Sequence, residues 1–206
     1  MTIQTVKDAF SNLKKDISDV SNTLFIQWCD YANNELYRLL IGVDPERVIT
    51  TNTINVTSGT ASYALPSGFR DMDTFGTGIF QTDASGNITD TRLVLTGPGS
   101  QTRGYYLNGS NIILTPAPTK NETLIQRYVP ALTTLASLSD SFISALPTEY
   151  LYQLVNAIDV LYSQWDEDPS MESLAGQRYS QAITTIAQSI AQQPRVYGTS
   201  DLSQAY

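Results

Sequence analysis

The stretch LPTEYLYQLVNAIDVLYSQWDEDP, from Leu146 to Pro169, constrains this chain more than any other. Its apolar residues Leu151, Leu154, Val155, Ile158, Leu161, Tyr162 and Trp165 recur at helical spacing, while Gln153, Asn156, Ser163 and Gln164 fall on the other side. The spacing predicts an amphipathic helix with a wide buried stripe. Pro147 and Thr148 suit its first turn, where a missing N–H costs nothing and a hydroxyl can cap. Asp168-Pro169 suits its end, because proline disfavours helical backbone in the residue before it. Burying the stripe is worth roughly 1.5–3 kcal/mol per side chain, most of which is offset by ordering the backbone. The stripe therefore needs partners elsewhere in the chain.

Three other segments can supply them. Val6, Phe10, Leu13 and Ile17 predict a first helix from about Thr5 to Asp19. After a cap at Ser21-Asn22, the segment NTLFIQWCDYANNELYRLLIG places Leu24, Trp28, Ala32, Leu36 and Leu39 or Leu40 on one face. Gly42 suits the left-handed residue past the end of that helix, and Trp28 and Trp165 are read as core aromatics. Beyond Pro169, Leu174, Tyr179, Ile183, Ile186 and Ile190 predict a fourth helix from Ser170 to about Gln192, stopped by Gln193-Pro194. The segment before the central helix, ALTTLASLSDSFISAL, reads as an irregular link with one short helix.

Between the helix pairs the pattern changes to period two. ITTNTINVTSGTASYALPSGF alternates around Ile54 and Val56, turns at Ser58-Gly59 and returns through Tyr63 and Leu65, which predicts a hairpin. Further strands are expected at Asp73 to Gln81, Thr91 to Thr96, Arg103 to Leu107, Asn111 to Thr115 and Leu124 to Val129. Turn residues separate them at Ser85 to Asn87, Gly97 to Gly99, Asn108-Gly109 and Pro116 to Glu122. Short strands with such punctuation indicate an antiparallel sandwich or barrel. The expected fold is α+β: a helical bundle made by the N-terminal (1–47) and C-terminal (131–193) helix pairs, with a β domain (48–130) inserted between them. Residues 194–206 lack a core pattern and are expected to form an extended, mobile tail.

Composition removes several functions. There is no histidine, so Ser-His-Asp and Cys-His nucleophiles, His-containing zinc sites and the facial iron triad are excluded. A net charge of −8, with scattered lysines and arginines, argues against gripping phosphate backbones, though a protein that encloses DNA without holding it fits. Cys29 is the only cysteine and sits in an apolar helical pattern, where a thiol is packing. The start MTIQTVKDAF has no basic segment followed by an apolar run, and no apolar run is long enough to span a bilayer, so a soluble chain is expected.

The remaining chemical candidates are weak. Asp166-Glu167-Asp168 lacks the spaced ligands and turn glycine of a calcium loop and reads as helix punctuation. Glu149 and Asp159 are about 15 Å apart along a helix, too far for a glycosidase pair. GPGSQTRG has no Gly-Lys-Ser/Thr element and leads into a strand, so it reads as a hairpin tip and not a phosphate cradle. Tyr63, Tyr105, Tyr106 and Tyr128 could stack on sugars or bases, but strand aromatics more often pack a sandwich. No metal, cofactor or catalytic residue is expected.

Four pieces in order, LFIQWCDYANNELYRLL, YALPSGFRDM, YYLNGSNIILTPAP with LIQRYVPAL, and LPTEYLYQLVNAIDVLYSQWDEDP, resemble the tailed-bacteriophage head-to-tail adaptor (head completion or connector) proteins, including the tail tubular protein A type. The resemblance spans roughly Leu24 to Ile190 and leaves the first helix outside it. It implies a structural virion protein at the head-tail junction, assembled in the host cytoplasm. Such a protein would form a ring of about twelve copies by a heterologous self-interface, between portal protein and a tail, nozzle or stopper protein. Genomic DNA would pass through without sequence-specific binding, and no membrane would be involved. The resemblance also implies a portal-docking role for the C-terminal extension, here Pro194, Arg195, Val196, Tyr197, Leu202 and Tyr206. A different class of function, a carbohydrate- or receptor-binding β-sandwich module of a phage tail, would place the working surface on the β segment.

Overall fold

The computed structural model describes residues 1–13, 17–72, 76–143, 146, 148–166 and 172–193. The described residues are mixed α+β, with four α-helices and largely antiparallel sheets. Its described residues divide into two compact units, one of Met1–Asp44 with Thr134 onward, the other of Pro45–Thr133.

The first unit holds α1 (Ile3–Leu13), α2 (Asn22–Val43), α3 (Leu151–Trp165) and α4 (Glu172–Gln192). α1 buries Ile3, Val6 and Phe10 and does not reach the expected Asp19, because Ile17, also buried, already stands outside the helix. α2 starts at the expected cap, with Ser21 Oγ accepting from the Leu24 N–H at 3.2 Å. It runs through Gly42, which is helical and not a left-handed terminator; Asp44 closes the helix by donating its N–H to the Leu40 carbonyl at 2.8 Å. The buried face of α2 is wider than the expected stripe, adding Phe25, Cys29, Asn33 and Tyr37.

α3 begins at Leu151, after a 3-10 turn over Thr148–Tyr150, and no side chain caps it. Its stripe buries Leu154, Val155, Ile158 and Tyr162, together with Ala157, Val160 and Ser163, the last of which the sequence assigns to the outer side. Trp165 departs from the expected core position: it is 42% exposed, resting on Trp28 (ring centroids 6.1 Å) and Tyr162 (5.8 Å). Trp165 is the last residue of α3. Trp165→Ala is therefore expected to cost only about 1–2 kcal/mol, from partial burial and two aromatic contacts, in denaturant unfolding. A loss above about 3 kcal/mol would contradict a half-exposed ring.

The link after Thr133 forms no helix in its described part. It lies along α1 and α2 and satisfies polar groups there. The Ile3 and Gln4 N–H groups donate to the carbonyls of Asp140 (3.0 Å) and Leu138 (2.8 Å), which supplies partners for the open donors of a helix N-terminus. The Leu135 N–H donates to Asp30 Oδ1 at 2.8 Å, and the Ile143 N–H to the buried Asn33 Oδ1 at 3.0 Å. Within the link, hydrogen bonds from the Ala136 N–H and from the Ser137 hydroxyl and N–H hold the Asp140 carboxyl below its ordinary pKa.

The second unit holds two sheets. β1 (Thr50–Val56), β9 (Glu122–Pro130), β4 (Gly78–Thr82) and β5 (Ile88–Arg92) lie in that order, with β3 (Phe69–Asp71) also on β9. β2 (Ser62–Ala64), β8 (Asn111–Thr115), β7 (Gly104–Asn108) and β6 (Val94–Leu95) form the other. All pairs are antiparallel except β6 with β7, which is parallel. One apolar cluster takes Ile54, Val56, Ile79, Leu124 and Tyr128 from the first sheet and Tyr105, Ile112 and Leu114 from the second.

The Asn-Gly hairpin forms between β7 and β8, with Asn108 opposite Asn111 and Gly109 at φ +57°. The hairpin expected around Ser58-Gly59 does not. β1 pairs with β9 and β2 with β8, so the chain crosses from one sheet to the other between Val56 and Ser62. Tyr63 secures that crossing: its hydroxyl accepts from the Thr57 N–H at 2.9 Å and donates to the Thr60 carbonyl at 2.9 Å.

Candidate functional site

The described candidate carboxylates of the helical unit, Glu149, Asp159 and Asp166, form no metal-binding cluster. Glu149 sits in the 3-10 turn, where its carboxylate accepts from the Gln193 side-chain amide. Asp159 is half-buried in the middle of α3, and Asp166 closes that helix, its N–H donating to the Tyr162 carbonyl at 2.9 Å. Glu167 and Asp168 lie outside the described residues, and so does the proposed docking segment Pro194, Arg195, Val196, Tyr197, Leu202 and Tyr206. Among the described residues no cluster of three or more His, Cys, Asp or Glu side chains could hold a metal ion. Cys29 is fully buried, and that burial pushes its thiol pKa far up, which suits packing and not nucleophilic attack.

The β unit offers no stacking platform from the expected tyrosines. Tyr105 and Tyr128 belong to its core, and Tyr128 stacks on Phe69 with ring centroids 5.8 Å apart. Gly97 to Gly99 form an exposed turn between β6 and β7. Among the described residues, the large apolar side chains this unit exposes are Val94 and Leu95 on the edge strand β6, Ile88 on the edge strand β5, and Leu107.

A surface groove lies in the helical unit. Leu24, Gln27, Trp28 and Tyr31 follow one another at i, i+3, i+4 and i+7 along α2, so they form one ridge. Facing them are Leu161 and Gln164 of α3 and Tyr179 and Ser180 of α4, and together these residues line a groove of about 420 Å³. Tyr31 is 52% exposed and packs against Tyr179 with centroids 5.5 Å apart. Tyr179 is itself buried, and its hydroxyl has no hydrogen-bond partner. Burial is the main cause that pushes its phenol pKa up, followed by Tyr31 and Glu35. Among the described residues, none that line the groove is charged. Trp28 and Tyr179 were visible in the sequence as stripe members and Tyr31 was not, and a stripe does not say where two helices part.

A family model described as SU10 adaptor protein matches residues 1–203. The chain belongs to the SU10 adaptor family. No curated protein matches it. The family is a phage head-tail adaptor family, so this adaptor is a structural protein of the virion, and the resemblance read from its helices and sheet segments holds at that level. Family coverage includes α1, which the sequence resemblance left outside. An adaptor works through contacts with portal and tail components. The relevant chemistry is thus that of protein interfaces, in which exposed aromatics such as Tyr31 and Trp165 are the side chains that contribute most per residue. No described helix of the adaptor is long and apolar enough to cross a membrane.

Proposed function

We propose that this adaptor closes into a ring of about twelve copies beneath the portal vertex, joined by a heterologous self-interface. The ring extends the DNA channel and presents a platform to a tail, nozzle or stopper protein, as tail tubular protein A-like connectors do. In this reading the helix pairs form one interrupted bundle, and the β segment 48–130 is a sandwich that the bundle holds out. The observation that carries it is the match of a phage adaptor family over nearly the whole chain. The net charge of −8 agrees with a channel wall that DNA slides past. Electron microscopy or native mass spectrometry with portal present should give a closed ring. A strictly monomeric protein that ignores portal would overturn the reading.

The segment 194–206 is the portal-docking arm, through Pro194, Arg195, Val196, Tyr197, Leu202 and Tyr206. Ordering such a segment on binding carries an entropic cost, which ties docking to a portal already assembled. Removal of 194–206 should lower the thermal midpoint by no more than about 4 °C, equivalent to roughly 1 kcal/mol, and abolish portal co-sedimentation. Undiminished docking by the truncated protein would remove the arm from the mechanism.

A further inference from the structure

The groove between α2, α3 and α4 combines three features: exposed aromatic surface at Tyr31, a buried Tyr179 hydroxyl without a partner, and described lining residues that carry no charge. A buried hydroxyl left unpaired costs about 1–3 kcal/mol, so a segment that supplied a partner would recover part of that cost. The occupant should be apolar with a polar backbone or side-chain group to offer, and its contact residues should carry no charge into the groove.

The chain places such a segment within reach. Gln193 is held at the start of α3, donating to the Tyr150 hydroxyl at 3.1 Å and to Glu149. The groove lies at the other end of the same helices, where Leu161 and Gln164 meet Tyr179. From Tyr179 to Gln192 α4 rises about 20 Å. Residues 194–206, if extended, span at most roughly 43–47 Å. Running back along α4 uses about six of them, which brings Thr199 and Ser200 level with Tyr179. The residues that remain are then Asp201 to Tyr206, and the large apolar side chains among them, those offered to the groove, are Leu202 and Tyr206, spaced by Ser203, Gln204 and Ala205.

We propose that this groove is the resting site of the chain's own C-terminal segment, with Leu202 and Tyr206 packed among Trp28, Tyr31 and Tyr179 and a polar group of the segment paired to the Tyr179 hydroxyl. Held there, the two side chains are masked, so any partner that uses them must first displace them from the groove. The contact is intramolecular, which sets a high effective concentration and requires only a weak intrinsic affinity. This assignment does not depend on portal docking, and its test contains no portal.

The reporter is built in, because Trp28 lines this groove and Trp165, the only other tryptophan, packs on it with ring centroids 6.1 Å apart. Acrylamide quenching of tryptophan fluorescence is compared for the full chain, for a chain ending at Gln193, and for the full chain carrying Leu202→Asp and Tyr206→Asp. An effective concentration near millimolar keeps the groove mostly filled, so both altered proteins should show a quenching constant raised about 1.5-fold or more. A synthetic peptide of residues 194–206 should bind the truncated protein with a Kd of about 10–500 µM and restore the protection. Tyr179→Phe in the truncated protein should weaken that peptide about 3–10-fold while leaving its circular dichroism unchanged. Equal quenching of all three proteins, no peptide binding, or protection that grows with protein concentration would each overturn the intramolecular assignment. Undiminished peptide affinity in the Tyr179→Phe protein would overturn the pairing to its hydroxyl.

Discussion

Phe10→Ala is expected to lower the unfolding free energy by about 3–5 kcal/mol, a third or more of what a domain of this size commonly has. The ring is fully buried, with its centroid 6.0 Å from Phe25 and 5.8 Å from Tyr162. It therefore ties α1 to α2 and α3 at once, and truncation leaves a cavity walled by two large aromatics that cannot easily close it. Leu13→Ala, one turn further along the same helix and 46% exposed, is the control and should change stability by about 0.5 kcal/mol or less. Urea unfolding of both variants decides the matter. A similar small loss for each would mean that α1 is an appendage and not part of the helical core.

The second large effect is expected at Gly104, which stands opposite Val94 in the parallel β6–β7 pair. A Cβ there would lie 2.3 Å from the Val94 carbonyl oxygen and 2.6 Å from Thr96 Cγ2. The first of these is backbone and can yield only if β6 parts from β7, a pairing also held by the Thr96 N–H donating to the Tyr105 carbonyl at 2.8 Å. Gly104→Ala should therefore cost about 2–3 kcal/mol, near the top of the usual range for overpacking. Gly97→Ala in the adjoining loop meets nothing within 4 Å and should be neutral within about 0.5 kcal/mol. Equal stability of the two variants would show that the β6–β7 contact is loose.

What could be read in advance was whatever depends on near neighbours in the chain. Ser21 caps α2 because an N-cap needs only a side-chain oxygen three residues before its donor. The β7–β8 hairpin forms because Asn-Gly supplies its turn locally. Ile54 and Val56, Ile112 and Leu114 point inward because alternation alone assigns them to one face. The wider α2 face, Asn33 included, was missed because an asparagine becomes tolerable in a core only when a distant group, here the Ile143 N–H, pairs with it. The interaction groove was illegible for a similar reason: its three walls come from α2, α3 and α4, and no local pattern records where they diverge.

The sequence by itself determined the helix and strand periods, the polar and apolar faces, the loss of all histidine chemistry and the phage-adaptor character carried by the order of its segments. Only the tertiary structure decided that β1 and β2 separate into different sheets, that Trp165 stands half in solvent and that α1 is tied to the core by Phe10. The division has one physical cause. Faces and caps follow from bonds and spacings a few residues apart. The choice of partner follows from closing a core between segments far apart in the chain, and neither segment records the other.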